Sequence, residues 1–229
     1  MTIKDNLEKI HGRIAAACVR AGRDPREVRL VAVSKIKPAA LIEEAAAAGQ
    51  RVFGESYVQE LAAKVEQIDG PVEWHFIGAL QSNKVKYLRG KVALIHSVDR
   101  LSLAREIARQ WGKLGRIADI LIQVNLAGEE SKSGTSEQEA LTLVRQVAEL
   151  PQVRIGGLMT LPPYFDDPEQ VRPYFRRLRQ LAEEISTLHL PGVEMRELSM
   201  GMSHDFEVAV EEGATLVRVG TAIFGEREK

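Results

Sequence analysis

The sequence predicts an α/β protein: a closed (β/α)8 TIM barrel carrying one extra helix at its N-terminus. Three observations lead there. Apolar, β-branched runs alternate with helix-period segments along the whole chain. Eight such runs fall within 229 residues, the count and size of one barrel. No G-x-G-x-x-G follows the first run, which disfavours the open doubly wound sheet that is the structural alternative.

An amphipathic helix over residues 3–21 comes first. "VRLVAVS" (28–34) then reads as the first strand, and "PAALIEEAAAAG" (38–49) as a helix opened by Pro38 and stopped by Gly49. Strands at 51–56, 72–78 and 92–98 alternate with helices at 57–68, 82–90 and 100–115. The fifth strand is "ADILIQVN" (118–125), followed by a polar loop and a helix at 137–150. Strands at 153–161 and 195–201 precede helices at 168–188 and 204–213, with Pro173 expected to disturb the first turns of the former. "TLVRVG" (215–220) closes the series with only a short apolar turn after it. Strict βα alternation implies a parallel sheet, and no linker divides the chain, so residues 1–229 are expected to form one domain.

Composition excludes several classes of function. Lys+Arg (31) balance Asp+Glu (32), so charge gives no argument for nucleic acid or a membrane surface. Cys18 is the only cysteine and sits in a helical apolar stretch, which reads as a buried core thiol and rules out an intrachain disulfide. Lys4, Asp5, Glu8 and Lys9 break any N-terminal apolar run, and no segment is long and apolar enough for a membrane helix. A reducing cytoplasm is the expected location. His11, His96 and His189 lack metal-ligand spacing, so no metal is expected.

In a barrel the site lies at the C-terminal ends of the strands. There the sequence places Lys35, Glu55 with Ser56, His75, Ser97, Asn125, Thr160, Ser199 and Arg218. Lys35 is the most costly of these, since it ends an apolar run. It reads either as a cation for an anion or, once desolvation favours its neutral amine, as a nucleophile for a carbonyl. Arg218 lies inside the final apolar strand, with Gly220 and Thr221 just beyond. The loop "ELSMGMSHDF" (197–206) offers Ser199, Gly201 and Ser203 ahead of a helix. Loops after the seventh and eighth barrel strands commonly bind phosphate through backbone N–H groups. A ligand with both a carbonyl and a phosphate is therefore indicated. Pyridoxal 5′-phosphate (PLP) has both, and so has a sugar phosphate bound to a Schiff-base aldolase.

"VAVSKIKP", "FGESYVQE", "WHFIGALQSNK", "GLMTLPP", "LSMGMSHDFEVAV" and "ATLVRVGTAIFG" together resemble the pyridoxal phosphate homeostasis proteins, single-domain relatives of the alanine racemase N-terminal barrel. The resemblance implies PLP held as a Schiff base on Lys35. It implies phosphate contacts from Ser199, Met200, Gly201, Ser203, Gly220 and Thr221, and Arg218 at the pyridine nitrogen. A further contact is implied at Ser56, where the family usually has asparagine. Ile36, Ala79 and His204 also depart from the usual threonine, proline and acidic residue.

The resemblance implies a carrier that buffers PLP and passes it to apo-enzymes transiently, with no catalytic residues. An arginine at the pyridine nitrogen favours its unprotonated form and so weakens the electron sink that catalysis needs. The racemase barrel is completed by a tyrosine from a C-terminal β-domain, for which this sequence ends too soon, and a monomer is expected without that domain. The alternative is a low-activity PLP-dependent amino-acid racemase. Tyr164 is the one tyrosine placed near the mouth, His75 the remaining acid–base candidate, and Lys132 a loop lysine able to take part in ligand exchange.

Overall fold

The computed structural model describes residues 2–129 and 133–226. Helix α1 (Ile3–Arg20) leads, opened by a reciprocal capping box between Thr2 and Asp5. Strand β1 (Arg29–Val33) follows, then α2 (Ala39–Ala47), β2 (Val52–Glu55), α3 (Val58–Gln67) and β3 (Glu73–Phe76). A 3₁₀ turn at Ser82–Lys84 runs into the single-turn α4 (Val85–Leu88), so the helix expected over 82–90 is shorter and tighter. Next come β4 (Leu94–Val98), α5 (Leu101–Gly112) and β5 (Ala118–Asn125). A two-residue strand, β6 (Thr135–Ser136), pairs with the end of β5 and was not legible within its polar loop. Lys132, in the same loop, lies outside the described residues.

Helix α6 (Glu137–Ala148) and strand β7 (Val153–Met159) are followed by a 3₁₀ turn, α7 (Arg172–Ser186) and β8 (Val193–Ser199). Pro173 lies in the first turn of α7, where a missing N–H removes no helical bond. Helix α8 (Phe206–Glu211), β9 (Leu216–Val219) and the one-turn helix α9 (Thr221–Phe224) complete the chain.

The sheet is parallel and closes on itself. β1 pairs with β2 on one side and β9 on the other, and β4 pairs with β5 to finish the ring of eight strands. With only one turn of helix after β9, the outer layer lacks a full eighth helix there. α1 covers that side, packing on α8, α9 and α2. Its buried stripe is Leu7, Ile10, Ile14, Ala17 and Cys18, and Arg13 and Arg20 anchor it to Glu207 and Glu211 at 2.8 and 2.6 Å. The Cys18 thiol is in the core, and burial pushes its pKa up. Among the described residues no helix is long and apolar enough to cross a membrane.

Successive side chains of a strand face opposite sides of the sheet. The apolar residues therefore divide into two sets. A large one lies between barrel and helices, including Ala32, Phe53, Phe76, Ile120, Ile122 and Val217. A small one, Val31, Val52, Leu94, Leu121, Met159 and Leu216, packs inside the barrel. Many of the remaining inward positions are polar, and they build the site together with apolar Val33 and Ile77. Leu121 is fully buried in that inner cluster. Leu121→Ala should lower unfolding free energy by about 2–5 kcal/mol, read as a lower urea midpoint at unchanged slope.

Candidate functional site

On β1 the inward positions are Arg29, Val31 and Val33, and the same alternation carries on to Lys35. Lys35 is half-buried and lines a cavity of about 290 Å3 at the C-terminal mouth. Ser56, Ser203, Arg218, Gly220 and Thr221 share its wall. These converge from β1, β2, β9 and the loop after β8. Lys37 lines the cavity too and ties down the chain after α9, its Nζ donating to the carbonyls of Phe224 and Glu226 at 3.1 and 2.7 Å. A second chamber of about 620 Å3 adjoins the first and shares Lys35 and Ser56, with Tyr57, Gln123, Ser133 and Tyr164 on its wall. Both volumes suit a small molecule or cofactor. The Tyr164 ring lies tilted against that of His204, centroids 5.0 Å apart, and the residue is 69% exposed. Tyr57 joins Tyr164 at the mouth, so Tyr164 is not alone there.

Lys35 is held from behind. Ser34 and Glu55 point outward, between barrel and helices, where Lys64 of α3 meets them. Lys64 Nζ donates to the Ser34 carbonyl at 2.8 Å, to Glu55 Oε1 at 2.7 Å and to Glu60 Oε1 at 2.6 Å. The Ser34 hydroxyl also donates to Glu55 Oε1, at 2.7 Å. Glu60 accepts the N–H of Ile36 at 2.6 Å. Ile36 has φ +62°, a left-handed conformation that is costly for a β-branched residue. The chain thus makes a strained turn immediately after Lys35, and this buried ion cluster secures it. Burial pushes the Glu55 carboxyl up, against the hydrogen bonds from Lys64 and Ser34. Glu55 is therefore part of the clamp and not of the cavity wall. Lys64 and Glu60 went unnoticed in the sequence because a lysine and a glutamate on a helix ordinarily read as a solvated face.

In the loop after β8, Ser203 reaches the cavity and its hydroxyl accepts the Gly220 N–H at 3.3 Å. Ser199, Met200 and Gly201 are buried beneath the loop and do not line the cavity. Gly201 is glycine for packing. Its φ is +89°, and a Cβ there would lie 2.5 Å from Ala209 Cβ and 2.9 Å from Phe206 Cα. Its carbonyl accepts the Arg218 N–H at 2.9 Å, tying the loop to β9. Met200 packs outward among the helices.

Arg218 lines the cavity yet is only 3% exposed. One terminal nitrogen donates to Ser199 Oγ at 2.5 Å and the other to the Thr160 carbonyl at 2.9 Å. Burial pushes its pKa down to about 10, partly opposed by Asp205, so it remains a cation at neutral pH. Among the described residues no carboxylate stands within ion-pair distance of it. A buried cation of this kind is expensive unless dipoles or a ligand compensate it.

His75 is not at the mouth. It faces inward below it, from mid-strand, and borders a pocket at the opposite end of the barrel. One ring nitrogen bonds Glu73 at 2.7 Å and the other His96 at 2.9 Å. Burial lowers the pKa of both histidines, that of His96 well below the usual value, with His75, Arg218 and Arg29 adding to the effect on His96. Ser97 and Thr160 face outward or into backbone contacts, the Thr160 hydroxyl donating to the Val124 carbonyl at 2.9 Å. Asn125 is half-buried and donates to the Glu129 carbonyl at 2.8 Å. Counting in twos from Lys35 and Arg218 separates Ser56 and Gln123, which reach the chambers, from Glu55 and Ser97, which do not.

Fold and site together define a lysine-bearing parallel barrel of the alanine racemase N-terminal class, and the family model "Alanine racemase, N-terminal domain" matches residues 6–228. A pyridoxal phosphate homeostasis protein of Aquifex aeolicus is 50% identical over the full length of both chains. One from Escherichia coli K12 is 43% identical, covering 99% of this chain and 97% of the other. The solved structure of PipY from Synechococcus elongatus with PLP bound superposes with a TM-score of 0.82 at 39% identity, covering 94% of this chain and all of that one. The chain belongs to the pyridoxal phosphate homeostasis protein family.

Two outcomes follow from this geometry. Lys64→Met leaves Glu55 buried without its cation, so urea unfolding should show a loss of about 3–5 kcal/mol, most of it restored by adding Glu55→Gln. Burial favours the neutral form of both histidines in the folded chain, whereas the unfolded chain takes up protons below a pKa of about 6.5. Stability should therefore be full above about pH 6.5 and fall as pH drops, by up to about 1.4 kcal/mol per pH unit for each histidine in equilibrium unfolding across pH 5–8.

Proposed function

We propose that this protein binds PLP in the mouth cavity, holds it as a Schiff base on Lys35, and serves as a reservoir that releases it to apo-enzymes. The observation that carries the reading is the single cavity in which Lys35 and Arg218 meet the small residues Ser203, Gly220 and Thr221. The homeostasis role of relatives up to 50% identical supports it, as does PLP bound to the similar PipY. The residues present fit the group. Its aldehyde needs an amine, its phosphate needs donors with little side-chain bulk, and the buried Arg218 cation needs an acceptor.

When bound, PLP supplies an electrophilic carbonyl carbon. The Lys35 amine would condense with it, the aldehyde oxygen leaving as water, and water or another amine would reverse the bond. Ser203, Thr221 and the Gly220 backbone would hold the phosphate, with Ser56 on the same wall. Lys37 adds positive charge beside them. Arg218 donates to the ring nitrogen. A guanidinium does not give up its proton at neutral pH, so it keeps that nitrogen unprotonated and the ring a weak electron sink. This favours storage over catalysis. The open second chamber gives an incoming amine access to Lys35.

A second reading, a slow amino-acid racemase, is favoured by one observation: Tyr57 and Tyr164 stand on the chamber beside Lys35, where a second acid–base group would be needed.

Purified protein mixed with PLP should show a visible imine band that disappears on adding a small primary amine. Borohydride should fix a pyridoxyl group on Lys35, and Lys35→Ala should show neither signal. A Lys35→Ala spectrum identical to wild type would overturn the covalent assignment. D-alanine formed from L-alanine by wild type, and lost in Tyr164→Phe, would establish the racemase reading instead.

A further inference from the structure

Beneath the cavity a continuous hydrogen-bonded chain crosses the barrel interior. Arg218 donates to Ser199 Oγ at 2.5 Å, and Ser199 Oγ lies 2.8 Å from His96 Nδ1. His96 Nε2 lies 2.9 Å from His75 Nδ1, and His75 Nε2 lies 2.7 Å from Glu73 Oε1. Ser199, His75 and His96 are wholly buried. Glu73 is half-exposed at the far end, 3.5 Å from Arg29, which also bonds Glu197 at 2.9 Å.

The chemistry of its two ends fixes the direction of this chain. A guanidinium only donates and a carboxylate only accepts. Ser199, having accepted from Arg218, gives its one proton to His96 Nδ1. His96 must then carry its proton on Nε2 and donate it to His75 Nδ1. His75 likewise carries its proton on Nε2 and donates it to Glu73. No member has a free choice of tautomer. Glu73 stays ionised, its carboxyl held below the usual range by the bond from His75.

We propose that Glu73, His75, His96 and Ser199 form a positioning relay that fixes Arg218 as an oriented donor toward the ligand in the mouth. The inference rests on the reading of Arg218 given above and concerns what maintains it. Aligned dipoles leading to a distant carboxylate stabilise the buried cation without a contacting anion. A carboxylate in direct contact would occupy the donors that the cavity needs. The charged groups facing the relay are Arg218, with Asp205 near it, at the mouth, and Arg29 and Glu197 at the floor.

The test uses three variants and two probes. His96→Leu breaks the relay. His96→Gln preserves it, because the amide oxygen accepts from Ser199 and the amide nitrogen donates to His75. Glu73→Ala removes the terminal acceptor at a partly exposed position remote from the cavity. In wild type without ligand, imidazole 15N NMR should show both histidines as neutral Nε2–H tautomers between pH 6 and 8. An Nδ1–H tautomer at either histidine, or a charged ring in that range, would overturn the relay.

Binding is then measured with PLP and with 1-deazapyridoxal phosphate, which has carbon in place of the ring nitrogen. His96→Leu should weaken PLP binding about tenfold, the scale of one charge-assisted hydrogen bond, and Glu73→Ala should weaken it severalfold. His96→Gln should bind as wild type, and the deaza compound should bind all four proteins alike. If wild type does not distinguish the two probes, the Arg218 reading fails and the relay's role fails with it. If wild type distinguishes them but His96→Leu and Glu73→Ala bind PLP unchanged, that reading stands and the relay alone is overturned.

Discussion

The two-residue alternation of side chains, imposed on eight strands whose sheet closes on itself, is the constraint on which the rest of the molecule depends. Closure leaves no edge, so every strand residue faces either the helices or the narrow interior. The interior has a small apolar cluster that includes Val31, Leu94, Leu121 and Met159. The other inward positions are free to be polar. Lys35 and Arg218 face the mouth, while Ser34 and Glu55, one position out of phase with Lys35 and Ser56, fall behind the wall. A slip of one residue in β1 would exchange Lys35 for Ser34 and abolish the site.

Two polar systems then support Lys35 and Arg218, two of the charged residues of the mouth. Behind Lys35, Lys64 joins Ser34, Glu55 and Glu60 and secures the strained Ile36 turn. Below Arg218, Ser199 and the paired histidines lead to Glu73. Each system pairs its own groups with one another outside the cavity that Lys35 and Arg218 line. That arrangement agrees with the function proposed above, in which Lys35 would hold an aldehyde from a strained turn and Arg218 would meet the ring nitrogen beside an accessible chamber.

The glycines and prolines show how local chemistry serves this plan. Gly201 gives the loop after β8 the positive φ and the close approach to α8 that bring Ser203 up to Gly220. Pro173 begins α7 without breaking it, because the first turn needs no donor from that residue. α1 completes a helical layer that β9 alone leaves open, and its Leu7, Ile10 and Ile14 stripe meets neighbours from both ends of the chain.

By itself the sequence determined the eight strands, the order of the main helices and the position of Lys35, Ser203, Arg218, Gly220 and Thr221 near one end of the barrel. Hydrophobic period, turn residues and chain length are local properties, and a parallel βα series admits few architectures. Tertiary structure decided which polar residues share a space. Met200 and Gly201 lie in the expected loop, yet Met200 packs outward and Gly201 against α8, while Ser199, at the end of β8, lies beneath the cavity against Arg218. His75 lies on the expected strand, yet its register points it to the floor. Lys64, Glu60 and His96 gain their roles only from partners far away in sequence, at distances that no spacing within a segment encodes. A buried charge is defined by what surrounds it, and those surroundings exist only once the barrel has closed.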